Sequence, residues 1–166
     1  VDADMATSPE AFYDLVKNIR KYDGIIASRY IKCAKVMPKQ SIQRIFVSRI
    51  FNLLTRSLFM MNYRDTQCGA KLFKREALET IISNLKVSQW AFDVDLLYNL
   101  KKQGFNIKES PTIWSDRAYS KINFVRAGPR MALAIVRIRL VNSPLSFIIK
   151  VYDILPNWIK PGYMLK

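Results

Sequence analysis

The chain has 166 residues, 27 Lys and Arg against 13 Asp and Glu, a formal charge of +14, no histidine, and 50% hydrophobic residues. That size and apolar content support one sizeable buried core and argue against a disordered chain, while the missing histidine excludes Ser-His-Asp and Cys-His nucleophile systems and His-ligated zinc. The charge calls for an anionic partner, whether nucleic acid, membrane surface or phosphorylated substrate, and the two isolated cysteines, Cys33 and Cys68, form neither a disulfide framework nor a zinc site, as in a reducing compartment.

Val1 to Met5 reads as the exit of a buried strand, after which Thr7-Ser-Pro-Glu10 supplies a capping box that predicts a helix to about Lys21. Gly24 to Ser28, GIIAS, is an apolar run of strand length, and strand, helix, strand is an α/β signature. Ile31 to Gln40, with Lys32, Lys35, Pro38 and Lys39, has no periodicity and predicts a mobile basic loop. Ser41 opens the longest helical pattern: Ile42, Ile45, Phe46, Leu53, Leu54 and Leu58 recur at helical spacing, with Arg44, Ser48, Arg49, Asn52 and Arg56 elsewhere on the circumference.

After a turn from Asn62 to Gly69, AKLF reads as a strand, Glu76 to Asn84 as a short helix, and Trp90 to Gln103 as another that Gly104 ends. Ile107 to Trp114 predicts an edge strand broken by Pro111, and Arg117 to Lys121 a polar basic turn. Phe124 to Leu140 is amphipathic and helical, and Leu145 to Leu155 is a second apolar stretch before a tail rich in Pro, Trp, Tyr and Lys. Residues 131–152 are interrupted by Arg137, Arg139, Asn142 and Pro144, short of the ~18 uninterrupted apolar residues of a membrane span.

Three constellations can carry chemistry. Asp2-Ala3-Asp4 places two carboxylates where one hard cation, Mg2+ or Mn2+, could meet both; on the triplet alone, a solvated turn with a capping aspartate is the better account. Arg29, Arg44, Arg117 and Lys121 lie near the small hydroxyls Ser28, Ser48 and Ser120, a setting for phosphate clamping, although singly each arginine reads as a solvated surface charge. Asp93 and Asp95 follow Trp90-Ala-Phe; helix capping explains Asp93 well and Asp95 less well.

Taken in order and spacing, Asp2-Ala-Asp4, Ala27-Ser-Arg-Tyr30, Arg44 with Ser48 and Asn52, Arg64-Asp-Thr-Gln-Cys-Gly-Ala-Lys-Leu-Phe73, Trp90-Ala-Phe-Asp-Val-Asp95 and Ser120-Lys121 resemble family 2 glycosyltransferases that charge polyprenyl phosphates. Dolichyl-phosphate β-glucosyltransferases are the nearest likeness and dolichyl-phosphate mannose synthases the next, over Val1 to about Asn142.

The resemblance implies a GT-A, Rossmann-like α/β fold truncated at its N-terminus, with residues 1–122 as the acceptor-side part of the catalytic domain and 123–166 as an amphipathic helical, membrane-associated tail. It implies inverting transfer of a hexose from a nucleotide sugar, UDP-glucose or GDP-mannose, to dolichyl or polyprenyl phosphate. Asp2 and Asp4 would hold the metal, although Ala6 stands where mannose synthases carry a further polar residue. Arg29, Arg44 and Ser48 would orient phosphates, and Arg117, Ser120 and Lys121 would close over them. Asp65, Gln67, Trp90, Asp93 and Asp95 would line the sugar pocket, with Asp93, Asp95 and Arg117 taking the catalytic roles, and Asp95 standing where the family usually has glutamate.

An acceptor phosphate is already anionic near neutral pH, so the reaction needs no histidine base. The cations interleaved with apolar residues from Arg126 to Lys166, together with Trp158 and Tyr163, suit a peripheral position on the cytoplasmic face of a membrane. For residues 124–140, a helix packed on the sheet with its arginines in solvent fits equally well. The alternatives are a basic nucleic-acid-binding module, against which the cations are dispersed and no nucleic-acid motif occurs, and a non-catalytic membrane-docking fragment.

Overall fold

The computed structural model describes residues 7, 9–37, 41–86, 91–115 and 124–154. Asp2, Asp4, Trp90, Arg117, Ser120, Lys121 and the tail from 155 onward lie outside the described residues, as does the boundary expected at 122/123.

Among the described residues the architecture is mixed α/β. Helix α1 (Pro9–Asn18) starts with proline in its first turn and glutamate behind it, runs on as a 3-10 turn over Ile19–Lys21, and buries Ala11 and Leu15. Strand β1 (Gly24–Ser28) is buried along its whole length. It is the centre of a three-stranded sheet, antiparallel to β3 (Lys71–Phe73) and parallel to β4 (Ile107–Pro111). The continuous apolar run is explained by its two covered faces. Ile25 and Ala27 pack with Leu15 of α1, Cys68 and Ala70, whereas Ile26 joins the larger cluster built by helices on the opposite side.

Gly24 pairs with Phe73 on one side and Ile107 on the other, and a Cβ there would stand 2.3 Å from the Phe73 ring and 2.8 Å from Ile107. Any larger residue would force the Phe73 ring and the Ile107 side chain to move.

The larger cluster draws on α2 (Ile42–Phe59), α3 (Arg75–Ile81), α4 (Phe92–Lys102) and α5 (Phe124–Val141), through Phe51, Phe59, Ala77, Ile81, Val94, Leu97, Leu100, Ile135 and Ile138. Helix α5 packs on α2 and on α6 (Ser146–Ile154). As the sequence indicates, Ser41 caps α2, its hydroxyl accepting from the Arg44 amide at 3.3 Å, and Gly104 closes α4 at φ +83°.

Three expectations are corrected. Residues 31–40 are not loop throughout: β2 (Lys35–Met37) pairs in parallel with β5 (Ile113–Ser115), a non-local pairing without a local signature. The edge strand does not break at Pro111, which still pairs with Ser28; the chain changes sheets at Thr112, whose carbonyl accepts from the Lys35 amide at 2.9 Å. The sheet is mixed rather than the parallel one that a Rossmann-like fold implies, because β3 returns antiparallel to β1.

Helix α2 follows the expected stripe only in part. Leu54 and Leu58 pack against the core, but Ile42, Ile45, Phe46 and Leu53 are exposed, as is Ile50, with Ile42 at 85% and Leu53 at 64%, while Phe51, Asn52, Thr55 and Phe59 are buried.

Candidate functional site

The site begins at the C-terminal end of β1, where strand pairing ends and Arg29 and Tyr30 leave the sheet. The Arg29 guanidinium meets the Asp65 carboxylate in a fork, Nε to Oδ2 at 2.7 Å and Nη2 to Oδ1 at 2.9 Å, and the Arg29 amide adds a bond to Oδ2 at 3.0 Å. Burial opposes the guanidinium's charge, but its hydrogen bonds to Asp65 and the attraction of that carboxylate outweigh it, leaving Arg29 held above its ordinary pKa. Arg29 is cationic at any working pH, and Asp65 answers its charge locally.

Around this pair runs an alternating column of guanidinium groups and rings. Arg49 lies 4.7 Å from the centroid of Tyr30, Arg29 lies 5.3 Å from Tyr30 and 5.3 Å from Trp114, and Arg44 lies 5.6 Å from Trp114. The order is Arg49, Tyr30, Arg29, Trp114, Arg44. Each such contact contributes about 0.5–1 kcal/mol at an exposed site and about 2 when desolvated. The rings hold three like charges in fixed places, and the Tyr30 hydroxyl shares a 2.7 Å hydrogen bond with the Ser48 hydroxyl.

Strand β5 carries Trp114 into this column, and its backbone bridges Thr7, three residues after Asp4 in the sequence.

The segment from Arg64 to Cys68 is anchored from two sides. Glu109 Oε1 on β4 accepts from the amides of Arg64 at 2.9 Å and Asp65 at 3.0 Å, and Asn52 Oδ1 on α2 accepts from the Thr66 amide at 3.2 Å and the Thr66 hydroxyl at 3.1 Å. Burial, and then the nearby Glu109 charge, push the Tyr63 phenol up to about 12. Burial, and then Asp65, push the Cys68 thiol up as well, so it stays protonated and unreactive.

The expected site residues therefore divide. Arg29, Arg44 and Ser48 are brought together around Tyr30 and Trp114. Asp65 is fully buried and spent on Arg29 and on the Gln67 amide at 3.3 Å. Gln67 is half-buried, and its Nε2 is a buried donor with no partner among the described residues.

Asp93 is 2.8 Å from Lys71 Nζ and partly exposed, whereas Asp95 is fully buried and accepts from the Lys86 amide at 2.7 Å and from Asn99 Nδ2 at 2.9 Å. Both lie in the first turn of α4, where two residues apart means about 200° around the axis. They cannot face one pocket together; Asp95 faces the core. Of the expected sugar-pocket carboxylates, only Asp93 retains an accessible edge.

Reading the sequence for the site misses Arg49, Tyr30, Trp114 and Glu109 as participants. Arg49 stands beside Ser48 among other cations and Trp114 on a distant strand, so nothing local marks either one.

Among the described residues no group of three or more His, Cys, Asp or Glu could hold a metal ion, and no helix is long and apolar enough to cross a membrane.

Comparison with known proteins finds glycosyltransferases. The chain is 34% identical over 145 residues to a dolichyl-phosphate beta-glucosyltransferase of Dictyostelium discoideum, covering 84% of this chain and 44% of that protein. It is 31% identical over 129 residues to glycosyltransferase AglD of Haloferax volcanii, 75% of this chain and 20% of that one. It is 43% identical over 72 residues to the human dolichyl-phosphate beta-glucosyltransferase, 43% of this chain and 22% of that one.

The chain is similar to part of each of these glycosyltransferases.

It spans less than half the length of these curated relatives. No protein-family model matches it, and neither does any solved structure. Among the described residues Arg29, Arg44 and Arg49 gather on α2 and at the end of β1, around Tyr30 and Trp114.

Proposed function

We propose that this chain is the acceptor-side part of a GT-A glycosyltransferase of family 2 that moves a hexose from a nucleotide sugar to dolichyl or a related polyprenyl phosphate. The observation that carries the reading is the column of Arg44, Trp114, Arg29, Tyr30 and Arg49 against Ser48, a rigid cationic site at the carboxyl end of β1. Glucose is the sugar named in the relatives of Dictyostelium and human, so UDP-glucose is the donor proposed ahead of GDP-mannose.

In this mechanism Arg44 and the Ser48 hydroxyl hold the acceptor phosphate. One of its oxygens attacks the anomeric carbon from the face opposite the leaving group. The new C–O bond forms as the bond to the nucleoside diphosphate breaks, and the electron pair leaves with the diphosphate, inverting the centre. No base is required, because the phosphate arrives ionised. Positioning and fixed positive charge supply the rate. Arg117, Ser120 and Lys121 are proposed to close over the phosphates. Gln67, whose amide donor lacks a partner among the described residues, is proposed with Trp90 and Asp93 to meet the sugar, while Asp65 and Asp95 act from behind by holding Arg29 and the start of α4.

Asp2 and Asp4 offer the hard oxygen donors that suit Mg2+ or Mn2+, which when bound would neutralise diphosphate charge.

A peripheral site on the cytoplasmic face of a membrane is proposed for the enzyme. It is supported by the exposed apolar side of α2 and by Leu145, Phe147, Ile148, Val151 and Ile154 at and along α6, all exposed.

The test is hexose transfer to dolichyl phosphate by the full-length protein. Arg44→Ala and, separately, Asp4→Asn should each lower kcat/KM by about 100-fold or more. Wild-type turnover in both variants would overturn the assignment.

A further inference from the structure

We propose that Arg49 is the residue that captures the phosphate headgroup of an apolar-chain acceptor before Arg44 and Ser48 hold it for reaction. This rests on the acceptor-lipid reading above and adds a residue and a route to it.

Three observations converge on Arg49. The first is charge. Of the three guanidinium groups in the column, the central one is answered by Asp65 at 2.7 and 2.9 Å, so its charge is largely spent within the protein. Arg49 is exposed and makes no ion pair among the described residues, so its charge faces outward.

The second is position on the helix. Arg49 follows Ile42 by seven residues and Phe46 by three, and precedes Leu53 by four, the spacings that place side chains on one face of a helix. Those three are among the exposed apolar side chains of α2, with Ile45 and Ile50 beside them. A cation set in an apolar, outward stripe is matched by one ligand chemistry, a phosphate at the end of a hydrocarbon chain: the chain lies on Ile42, Phe46 and Leu53 while the headgroup meets the guanidinium.

The third is the mechanical link inward. The Tyr30 ring lies 4.7 Å from the Arg49 guanidinium, and the hydroxyl of the same ring is bonded to Ser48 at 2.7 Å. Tyr30 thus fixes the distance between the capturing cation and the hydroxyl assigned to hold the phosphate, and a headgroup at Arg49 has Ser48 one residue away on the half-buried side of α2. Arg49 belongs to the outer side of the site and Arg44 to the inner side, against Trp114.

The test uses the full-length protein and Arg49→Gln, a change at an exposed side chain that leaves the core untouched. In transfer assays, the KM for dolichyl phosphate should rise about tenfold, with the KM for the nucleotide sugar unmoved and kcat changed less than about threefold. An unmoved acceptor KM, or a fall confined to kcat, would overturn the proposal.

Vesicle binding decides the matter independently of turnover. Wild-type protein should bind phosphatidylcholine vesicles containing dolichyl phosphate better than vesicles without it, and Arg49→Gln should lose that increment. Equal loss on phosphatidylserine vesicles would mean that Arg49 serves bilayer charge in general and would overturn the assignment, as would abolition of the wild-type increment by millimolar inorganic phosphate, which would make the ligand a free anion. If the full-length protein transferred no sugar at all, the functional reading would fail while the vesicle increment still judged Arg49.

Discussion

On the inner side of α2, Asn52 and Thr55 are buried beside Phe51 and Phe59; on its outer side Ile42, Phe46, Ile50 and Leu53 are open to the surroundings. The inner oxygens are occupied, since Asn52 Oδ1 takes two hydrogen bonds from Thr66 and the Thr55 hydroxyl donates to the Asn52 carbonyl at 2.9 Å, while Asn52 Nδ2 has no partner among the described residues. The outer apolar groups are exposed among the described residues. The difference teaches that helical periodicity establishes two environments around a helix but not which of them is the protein core: a polar residue goes inside where a loop needs an anchor, and an apolar one stays outside where another apolar phase can cover it.

The comparison can be broken from the inside first. Asp65→Ala removes the partner of a buried guanidinium and should destabilise the chain by about 3–5 kcal/mol, read as a fall in the urea midpoint; a loss below about 1 kcal/mol would show that Arg29 finds water or another acceptor. Asn52→Ala strips the acceptor from the Thr66 amide and hydroxyl and should cost about 1–3 kcal/mol in the same measurement. The outer face sharpens the contrast with the smallest effect on folding. Phe46→Ser combined with Leu53→Ser should shift stability by no more than about 1 kcal/mol, within about 0.5 for each change, while clearly reducing sedimentation with phosphatidylcholine vesicles; unchanged sedimentation would remove this face from membrane contact.

Much of the fold can be read locally. GIIAS is a strand because five consecutive small and apolar residues need cover on both faces, and α2 starts at Ser41 because its hydroxyl satisfies the orphan amide of Arg44. The parallel pairing of β2 with β5 is not legible, since residues 35–37 carry two exposed positions and no alternation that would announce a partner. The candidate site is legible as a set of residue types, through the order of ASRY, DTQCGAKLF and WAFDVD, but their use is not. Asp65 and Asp95 have the same chemistry as Asp93, yet both are buried and consumed by internal donors while Asp93 keeps an open edge.

What the sequence determines by itself is local and additive: the covered central strand, the helix starts and stops, the excess of cations, and the absence of a histidine that an ionised acceptor phosphate would not require. Only the tertiary structure decides which charges remain available. Arg29, Tyr30, Arg44, Arg49 and Trp114 come from the end of β1, a helix and strand β5, and their stacking depends on distances of about 5 Å that no spacing along the chain specifies. A guanidinium is a ligand or a strut according to whether a carboxylate already meets it, and that is settled where Asp65 folds back onto Arg29.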